Sequence, residues 1–457
     1  MSTDPSITRR GFVGTAGAAA AIAGTFGIRT AASGRAVPPS EKVRLAMIGT
    51  GSRGSQLVDP FLANPEVDFV ALADVDPTQS TKMAESIAGK RSGSPKPTTM
   101  IDYRAILDDK SIDAVVIATP DHWHAQPTIQ ACQAGKDVYC EKPVAHNVRE
   151  GQAMKAASDK YQRIVAIGTQ QRSSENFQKA VEAVQSGLLG KITWVQTWNY
   201  ENISPLGMGL HADEAVPEGV DYDRWLGPAP VRPFNRSRFH LLFRWYFDYA
   251  GGMMSDWGVH LNDIVLWALK AKGPKSVSST GGIWAVEDDR DTPDTLQVVY
   301  EFDETILTYS MRKGNGLPMN DHGYGILFCG TDGSLLLDRS GHQIIPDKLA
   351  APYGIKLVYG DQPTRTIKLQ GSEFKAKGDG IEAHVRNFLD CMKSRAKPTT
   401  DIAIAHCSTN TTHLGNIAYK LGRKLFWDAE TETFKNDEEA NGLLGRSYRQ
   451  GYELPKV

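Results

Sequence analysis

Residues 43–54 read Val-Arg-Leu-Ala-Met-Ile-Gly-Thr-Gly-Ser-Arg-Gly, an apolar run that ends in glycines at 49, 51 and 54. The run predicts a buried strand, and the glycine spacing obliges the chain to turn sharply and enter a helix. Gly49 permits the tight turn. Gly51, with Ser52 and Arg53, lets backbone N–H groups approach a pyrophosphate, and Gly54 lets the helix pack closely on the strand. The helix N-terminus presents unpaired N–H donors to the anion. A second apolar run ends on Asp74, 20 residues after Gly54, which is the spacing of a carboxylate that accepts hydrogen bonds from the adenosine ribose. A charge there repels a 2′-phosphate, so NAD is favoured over NADP; Asp76 is a second candidate for the same role.

After this motif, apolar runs at 44–48, 69–73, 114–118, 136–139 and 164–167 alternate with helical stretches such as 55–64 and 128–134. Such alternation predicts a parallel sheet covered on both faces. Ligands of these sheets bind outside the carboxyl ends of the strands. That rule selects three loops: 49–54, Thr119-Pro120-Asp121-His122-Trp123-His124, and Cys140-Glu141-Lys142-Pro143. Beyond Gly168 a helix at 177–187 leads into period-two runs at 192–200, 276–284, 295–302, 305–312, 326–329 and 334–338. This pattern predicts a largely antiparallel open sheet. Helical stretches at 382–395 and 402–425 are placed to cover the two units or tie them together. The expected fold class is α/β. An N-terminal Rossmann domain, a doubly wound parallel sheet, spans 41–168, and a C-terminal α+β domain with a large, mostly antiparallel open sheet spans 169–457. The irregular segment 201–250, rich in Pro, Arg and aromatics, is too long for a plain connection and reads as a functional lid.

Two places carry the chemistry. Lys142, between Glu141 and Pro143, follows a strand that ends at the cofactor edge, where desolvation lowers a lysine toward useful acid/base values. The second is the stretch from Gly251 to Leu269. At about 100° per residue, Asp256, His260, Asp263 and Trp267 share one stripe of a helix that is otherwise apolar. The polar stripe must be paired or line a cavity. A histidine flanked by carboxylates one turn away on each side keeps a fixed tautomer and gains basicity, which suits a general base. His122 and His124 are placed to contact the nicotinamide edge or to cap the next helix. No metal site is expected, because Asp256 and His260 lack an obvious third ligand. Trp194, Trp198, Tyr200, Trp225, Trp245, Tyr246, Tyr249 and Trp257 crowd the second half, and aromatic faces beside polar groups suit sugar rings.

The charge balance, 51 basic against 53 acidic residues, provides no basic stripe for nucleic acid. The five cysteines lack zinc-site spacing and read as free thiols. No membrane span is expected in the mature chain. The first 40 residues stand apart: Thr8-Arg9-Arg10-Gly11-Phe12-Val13 precedes a weakly apolar stretch and the small residues Ala31-Ala32-Ser33. This resembles a twin-arginine signal, which export machinery reads to move folded proteins into the periplasm. A cofactor used there would be loaded in the cytoplasm, carried inside the fold and regenerated in place.

The glycine fingerprint at 49–54, Glu141-Lys142-Pro143 and the helix Gly251-Gly252 to Asp256-x-x-x-His260-x-x-Asp263 together resemble the Gfo/Idh/MocA oxidoreductases, over about 40 to 425. The resemblance implies a sugar or polyol substrate bound between the two domains. It also implies hydride transfer between a substrate carbon and the nicotinamide, a catalytic group of Lys142, Asp256 and His260, and a homo-oligomer joined through the open sheet. Exported glucose–fructose oxidoreductase holds NADP, from which Asp74 sets this chain apart. Some relatives are NAD-dependent glycosidases acting by transient oxidation and elimination, although those cleaving N-acetylgalactosaminides tend to lack the lysine. A non-catalytic sugar or dinucleotide sensor is the remaining alternative.

Overall fold

The computed structural model describes residues 41–91, 95–348 and 366–457. The twin-arginine motif lies outside the described residues.

The first sheet contains β1 (Val43–Ile48), β2 (Val67–Ala73), β3 (Thr98–Met100), β4 (Ala114–Ile117), β5 (Asp137–Cys140) and β6 (Val165–Ile167), in the order β3-β2-β1-β4-β5-β6. Every pair is parallel. Successive residues of β1 point to opposite faces. Leu45 and Met47 join Leu57 and Phe61 of α1 (Ser52–Leu62) and Met83 of α2 (Pro77–Lys90). Ala46 and Ile48 join a second layer with Ile129 and Met154. Beyond α3 (Arg104–Asp108), those two residues belong to α4 (Ala125–Gln133) and α5 (Val148–Tyr161). The strand order reverses about β1, so the crevice between the ends of β1 and β4 is the ligand position for this topology. Sequence reading misses β3, which has only three residues, none of them buried.

The second sheet has ten strands: β7 (Ile192–Tyr200), β8 (Ser276–Gly282), β9 (Thr295–Glu301), β10 (Ile306–Arg312), β11 (Tyr324–Gly330), β12 (Gly333–Leu337), β13 (Gly341–Pro346), β14 (Ser372–Lys375), β15 (Leu425–Asp428) and β16 (Thr433–Phe434). Among the described residues β7 and β10 are its one parallel pair. Helices α6 (Glu175–Gln185) and, past the short α7 (Tyr222–Leu226) and α8 (Gly252–Asp256), α9 (Gly258–Leu269) cover one face, burying Val195, Leu307 and Tyr309. On the remaining surface Trp284 stays 71% exposed.

Two C-terminal helices return to the first unit. Val385, Phe388 and Leu389 of α10 (Ile381–Ser394) enter the layer around Phe61 and Tyr139. In α11 (Ile402–Leu421), Ile402 and Ala405 pack on the Rossmann side, whereas Leu414, Ile417 and Ala418 pack under the open sheet, so this helix ties the two units together. It stops short of the expected position 425, because Gly422 takes a left-handed conformation (φ +65°) that ends the helix and frees Leu425 for a strand.

Segment 201–250 is packed rather than loose. Trp225, Phe234, Phe239, Phe243 and Tyr249 form an aromatic core of their own, with Tyr222 stacked on Trp225 at 5.6 Å. It is anchored to the Rossmann unit where the Asp221 N–H donates to the Val75 carbonyl and the His122 N–H to the Tyr249 carbonyl.

Candidate active site

One cavity of about 1090 Å³ runs from the glycine turn to the helix bearing His260. At its Rossmann end Gly49 sits at φ +89°, and a Cβ there would lie 2.7 Å from the backbone of Ala118 and Thr119. Gly51 faces open space, with nothing within 4 Å of an added Cβ. α1 begins at Ser52, so its first-turn N–H groups, which no helix carbonyl reaches, face the cavity mouth. Gly54 does not line the cavity; a Cβ on it would come within 2.4 Å of the Gly49 carbonyl oxygen, so its part is the close packing of helix on strand.

Asp74 lines the same cavity. Its Oδ2 accepts from the Thr50 N–H (2.7 Å) and hydroxyl (2.9 Å), and its Oδ1 accepts from the Asp76 N–H at 3.0 Å. An ionised carboxylate offers about four acceptor sites, so Oδ1 keeps one for a ribose hydroxyl. Burial pushes this carboxyl up, against the pull of those donors. Asp76 is engaged elsewhere, accepting from the Thr78 N–H as the cap of α2 and pairing with His240 at 3.2 Å. The residues present therefore fit a dinucleotide whose adenosine ribose carries no phosphate.

Thr119, Pro120, Glu141 and Lys142 form the next wall, at the ends of β4 and β5. Buried Glu141 receives the Arg53 guanidinium at 2.7 Å, which locks the start of α1 to the end of β5. Lys142 Nζ donates to Asp256 Oδ1 at 2.6 Å and to the Asp256 carbonyl at 2.8 Å. A carboxylate from the second unit thus meets the lysine at the cofactor edge, where the sequence reading placed it by desolvation alone. Arg244, contributed by segment 201–250, reaches the same Oδ1 at 3.1 Å. Burial opposes the charge on Asp256, but Lys142 and Arg244 outweigh it and hold the carboxyl well below the usual range.

His260 lines the cavity at 6% exposure, and its Nδ1 is buried without a hydrogen-bond partner. Burial, with the charges of Lys142 and Arg339, holds the imidazole neutral, well below its ordinary value. Two expectations are corrected here. The Asp256 side chain bonds Lys142 and Arg244 rather than orienting His260, and His260 loses basicity instead of gaining it. Asp263 departs further. The helix breaks at Trp257, between α8 and α9, so the stripe drawn through 256, 260 and 263 is not continuous. Asp263 turns into the interior, taking Arg172 at 2.7 and 2.9 Å and the Ser408 hydroxyl at 2.6 Å.

His122 and His124 do not line the cavity, so the nicotinamide-edge role is not met; His124 instead stands at the N-cap position of α4, without a capping bond from its side chain. His122 lies between Trp225 and Tyr249 with Nε2 2.9 Å from the Trp225 carbonyl, and burial lowers it to about 3. His124 spans the Pro143 carbonyl (2.6 Å) and the Thr119 carbonyl (3.0 Å), bracing two of the cavity loops from behind. Burial works against its charge, yet Cys140 and the two carbonyls push it up to about 9. The ionisable residue of that loop that does face the cavity is Asp121, buried beside Thr119, Pro120 and Trp123. Burial pushes it up to about 7, with Lys142 and Arg244 opposing and Asp256 adding to the rise. Sequence reading selected its loop but not Asp121 itself, because only burial separates this carboxyl from a solvated one.

Of the aromatics singled out from the sequence, Trp225, Trp245 and Trp257 line the cavity, whereas Trp198, Tyr246 and Tyr249 are core. Trp194 is 40% exposed on the open sheet.

A glycine turn at the switch point of a parallel sheet, facing a buried histidine helix from a second domain, defines a two-domain dinucleotide-binding protein. Residues 43–169 match the model for the oxidoreductase family, NAD-binding Rossmann fold, and residues 174–305 and 372–454 match its C-terminal alpha/beta domain. The chain belongs to the Gfo/Idh/MocA oxidoreductase family.

Its similar relatives include a glycosyl hydrolase family 109 protein of Stenotrophomonas maltophilia, 34% identical over 34% of this chain and 35% of that protein. Levoglucosan dehydrogenase of Pseudarthrobacter phenanthrenivorans is 35% identical over 36% of this chain and 44% of its own. The chain thus spans less than half the length of these two curated relatives. Among solved structures, levoglucosan dehydrogenase in complex with NADH and levoglucosan superposes with a TM-score of 0.64 at 15% identity, covering 84% of this chain and 99% of that one. Aldose-aldose oxidoreductase from Caulobacter crescentus complexed with glycerol gives a TM-score of 0.61 at 18% identity, over 84% and 99%. At these identities the likeness shows the shared fold.

Proposed function

We propose that this chain is an exported, NAD-retaining oxidoreductase that moves hydride between a hydroxyl-bearing carbon of a sugar or polyol and the cofactor. The observation that carries the reading is the convergence of Lys142, Asp256 and His260, from two separate units, on a cavity that continues to the glycine turn and Asp74. The names of the relatives, levoglucosan dehydrogenase and aldose-aldose oxidoreductase, support a carbohydrate substrate. Arg9-Arg10 supports export, and the exposed side of the open sheet supports a homo-oligomer.

Gly49, Gly51, Ser52, Arg53 and Asp74 would hold the dinucleotide, which supplies the hydride acceptor when bound. The Lys142 ammonium uses two of its three donors on Asp256, which leaves the third for a substrate oxygen, where it would stabilise negative charge as the hydroxyl proton leaves. Asp256 fixes the direction of that ammonium. Neutral His260 is placed to accept a hydrogen bond from the substrate hydroxyl, and because its basicity is depressed the proton does not rest on it but is passed on. Asp121, changing charge near neutrality beside Lys142, is placed to pass a proton onward. The rate of substrate oxidation is therefore expected to rise through about pH 7, as Asp121 ionises. Asp121→Asn should flatten that rise, and an unchanged pH–rate profile in the variant removes Asp121 from the proton path.

The reading is tested by denaturing protein purified from the periplasm, identifying the released nucleotide, and screening sugars and polyols for change at the nicotinamide band. NAD release with reduction by a sugar is the expected result. Protein that binds sugars with no spectral change is a sensor. The glycosyl hydrolase relative favours one rival reading, a glycosidase that recycles NAD, which would release product from a chromogenic glycoside without accumulating NADH.

A further inference from the structure

The charges lining the cavity are paired with one exception on the basic side. Arg53 holds Glu141, Arg104 holds Asp102, Lys142 and Arg244 share Asp256, and Arg224 holds Asp221. Arg339 also lines the cavity and, among the described residues, has no carboxylate partner.

The fold arranges this. Arg339 sits in the tight connection between β12 and β13, next to Asp338, whose carboxylate would be its natural local partner. That carboxylate is taken: Oδ1 accepts from the Ser340 N–H (2.7 Å) and hydroxyl, and Oδ2 meets His322 Nδ1 at 2.6 Å. Asn176 of α6 holds the Asp338 carbonyl at 2.8 Å, so the turn is pinned from below. The Arg339 guanidinium instead lies over the Trp257 ring, 5.0 Å from its centroid, beside the junction that carries Asp256 and His260. Its Nε is buried and without a partner. After burial and Lys142, Arg339 has the largest effect in holding His260 neutral, which places its charge at the reacting end of the cavity rather than at the glycine turn.

An unpaired, partly desolvated guanidinium costs free energy that an anionic ligand recovers, and its planar fork matches two carboxylate oxygens. Resting on the oxidoreductase reading, we infer that Arg339 anchors a carboxylate of the substrate, so that the preferred substrate is an acidic sugar, an aldonate or uronate, rather than a neutral one. The shared chemistry with a sugar phosphate is decided by the test.

NADH-loaded protein is titrated with D-gluconate, D-glucuronate, D-glucose and D-glucose 6-phosphate, following the fluorescence of the bound nicotinamide. This reads binding alone, so failure of hydride transfer leaves it intact. At least one acid should bind about tenfold or more tightly than glucose, with the advantage shrinking as salt is raised. Arg339→Gln should erase that advantage while leaving glucose and NADH affinity unchanged, and Arg339→Lys should restore part of it. Equal binding of acids and glucose overturns the inference, as does an equal loss for both in Arg339→Gln. Tightest binding of the phosphate overturns the carboxylate assignment, and a loss of NADH affinity in the variant moves Arg339 to the cofactor.

Discussion

Lys142→Ala should lower kcat by about 10²–10⁴ while the protein still retains its nucleotide. The substitution removes the donor that joins the Rossmann unit to Asp256 of the second unit at the reacting end of the cavity. It leaves Arg244 on Asp256, so the half-buried carboxylate keeps a partner and the fold survives. None of the glycine-turn donors or Asp74 is touched. Steady-state kinetics together with the nucleotide content of the purified variant check the expectation. Full activity would remove Lys142 from the reacting group, and an empty protein would reassign it to the binding of the cofactor.

Asp263→Ala should act oppositely, on stability rather than rate. It strands Arg172, 6% exposed and otherwise paired twice with Asp263, as an uncompensated buried charge. Breaking a buried pair in this way costs about 3–5 kcal/mol. The Ser408 hydroxyl also loses its carboxylate acceptor. Thermal and urea melts of the variant should move down sharply, while the protein that remains folded binds nucleotide normally, because neither Asp263 nor Arg172 lines the cavity. Undiminished stability with loss of turnover would instead return Asp263 to the reacting group.

The contrast between these two carboxylates marks how far the sequence is legible. Both lie on the same apolar stretch, one turn either side of His260, and periodicity alone treats them alike. The structure separates them through a break at Trp257 and through partners, Lys142 and Arg172, that come from distant parts of the chain. Five of the six Rossmann strands were legible because they are continuous apolar runs, whereas β3 and the β13–β16 strands are short or half exposed and carry little signal. The glycine turn and Asp74 were legible because their roles depend on local spacing. Those of Asp121 and Arg339 depend on burial and on which neighbours are already taken, and no spacing records either. The nicotinamide-edge role for His122 and His124 fails for the converse reason: a loop at the sheet edge has two sides, and the sequence does not say which one faces the ligand.

The most direct measurement is a crystal structure of the protein with its bound nucleotide and a substrate or inhibitor. Nicotinamide C4 should face a hydroxyl-bearing carbon whose oxygen lies within hydrogen-bond reach of both Lys142 Nζ and His260, with the adenosine ribose on Asp74. A nicotinamide pointing away from Lys142 and His260, or a glycine turn that holds no nucleotide, would contradict the proposed chemistry.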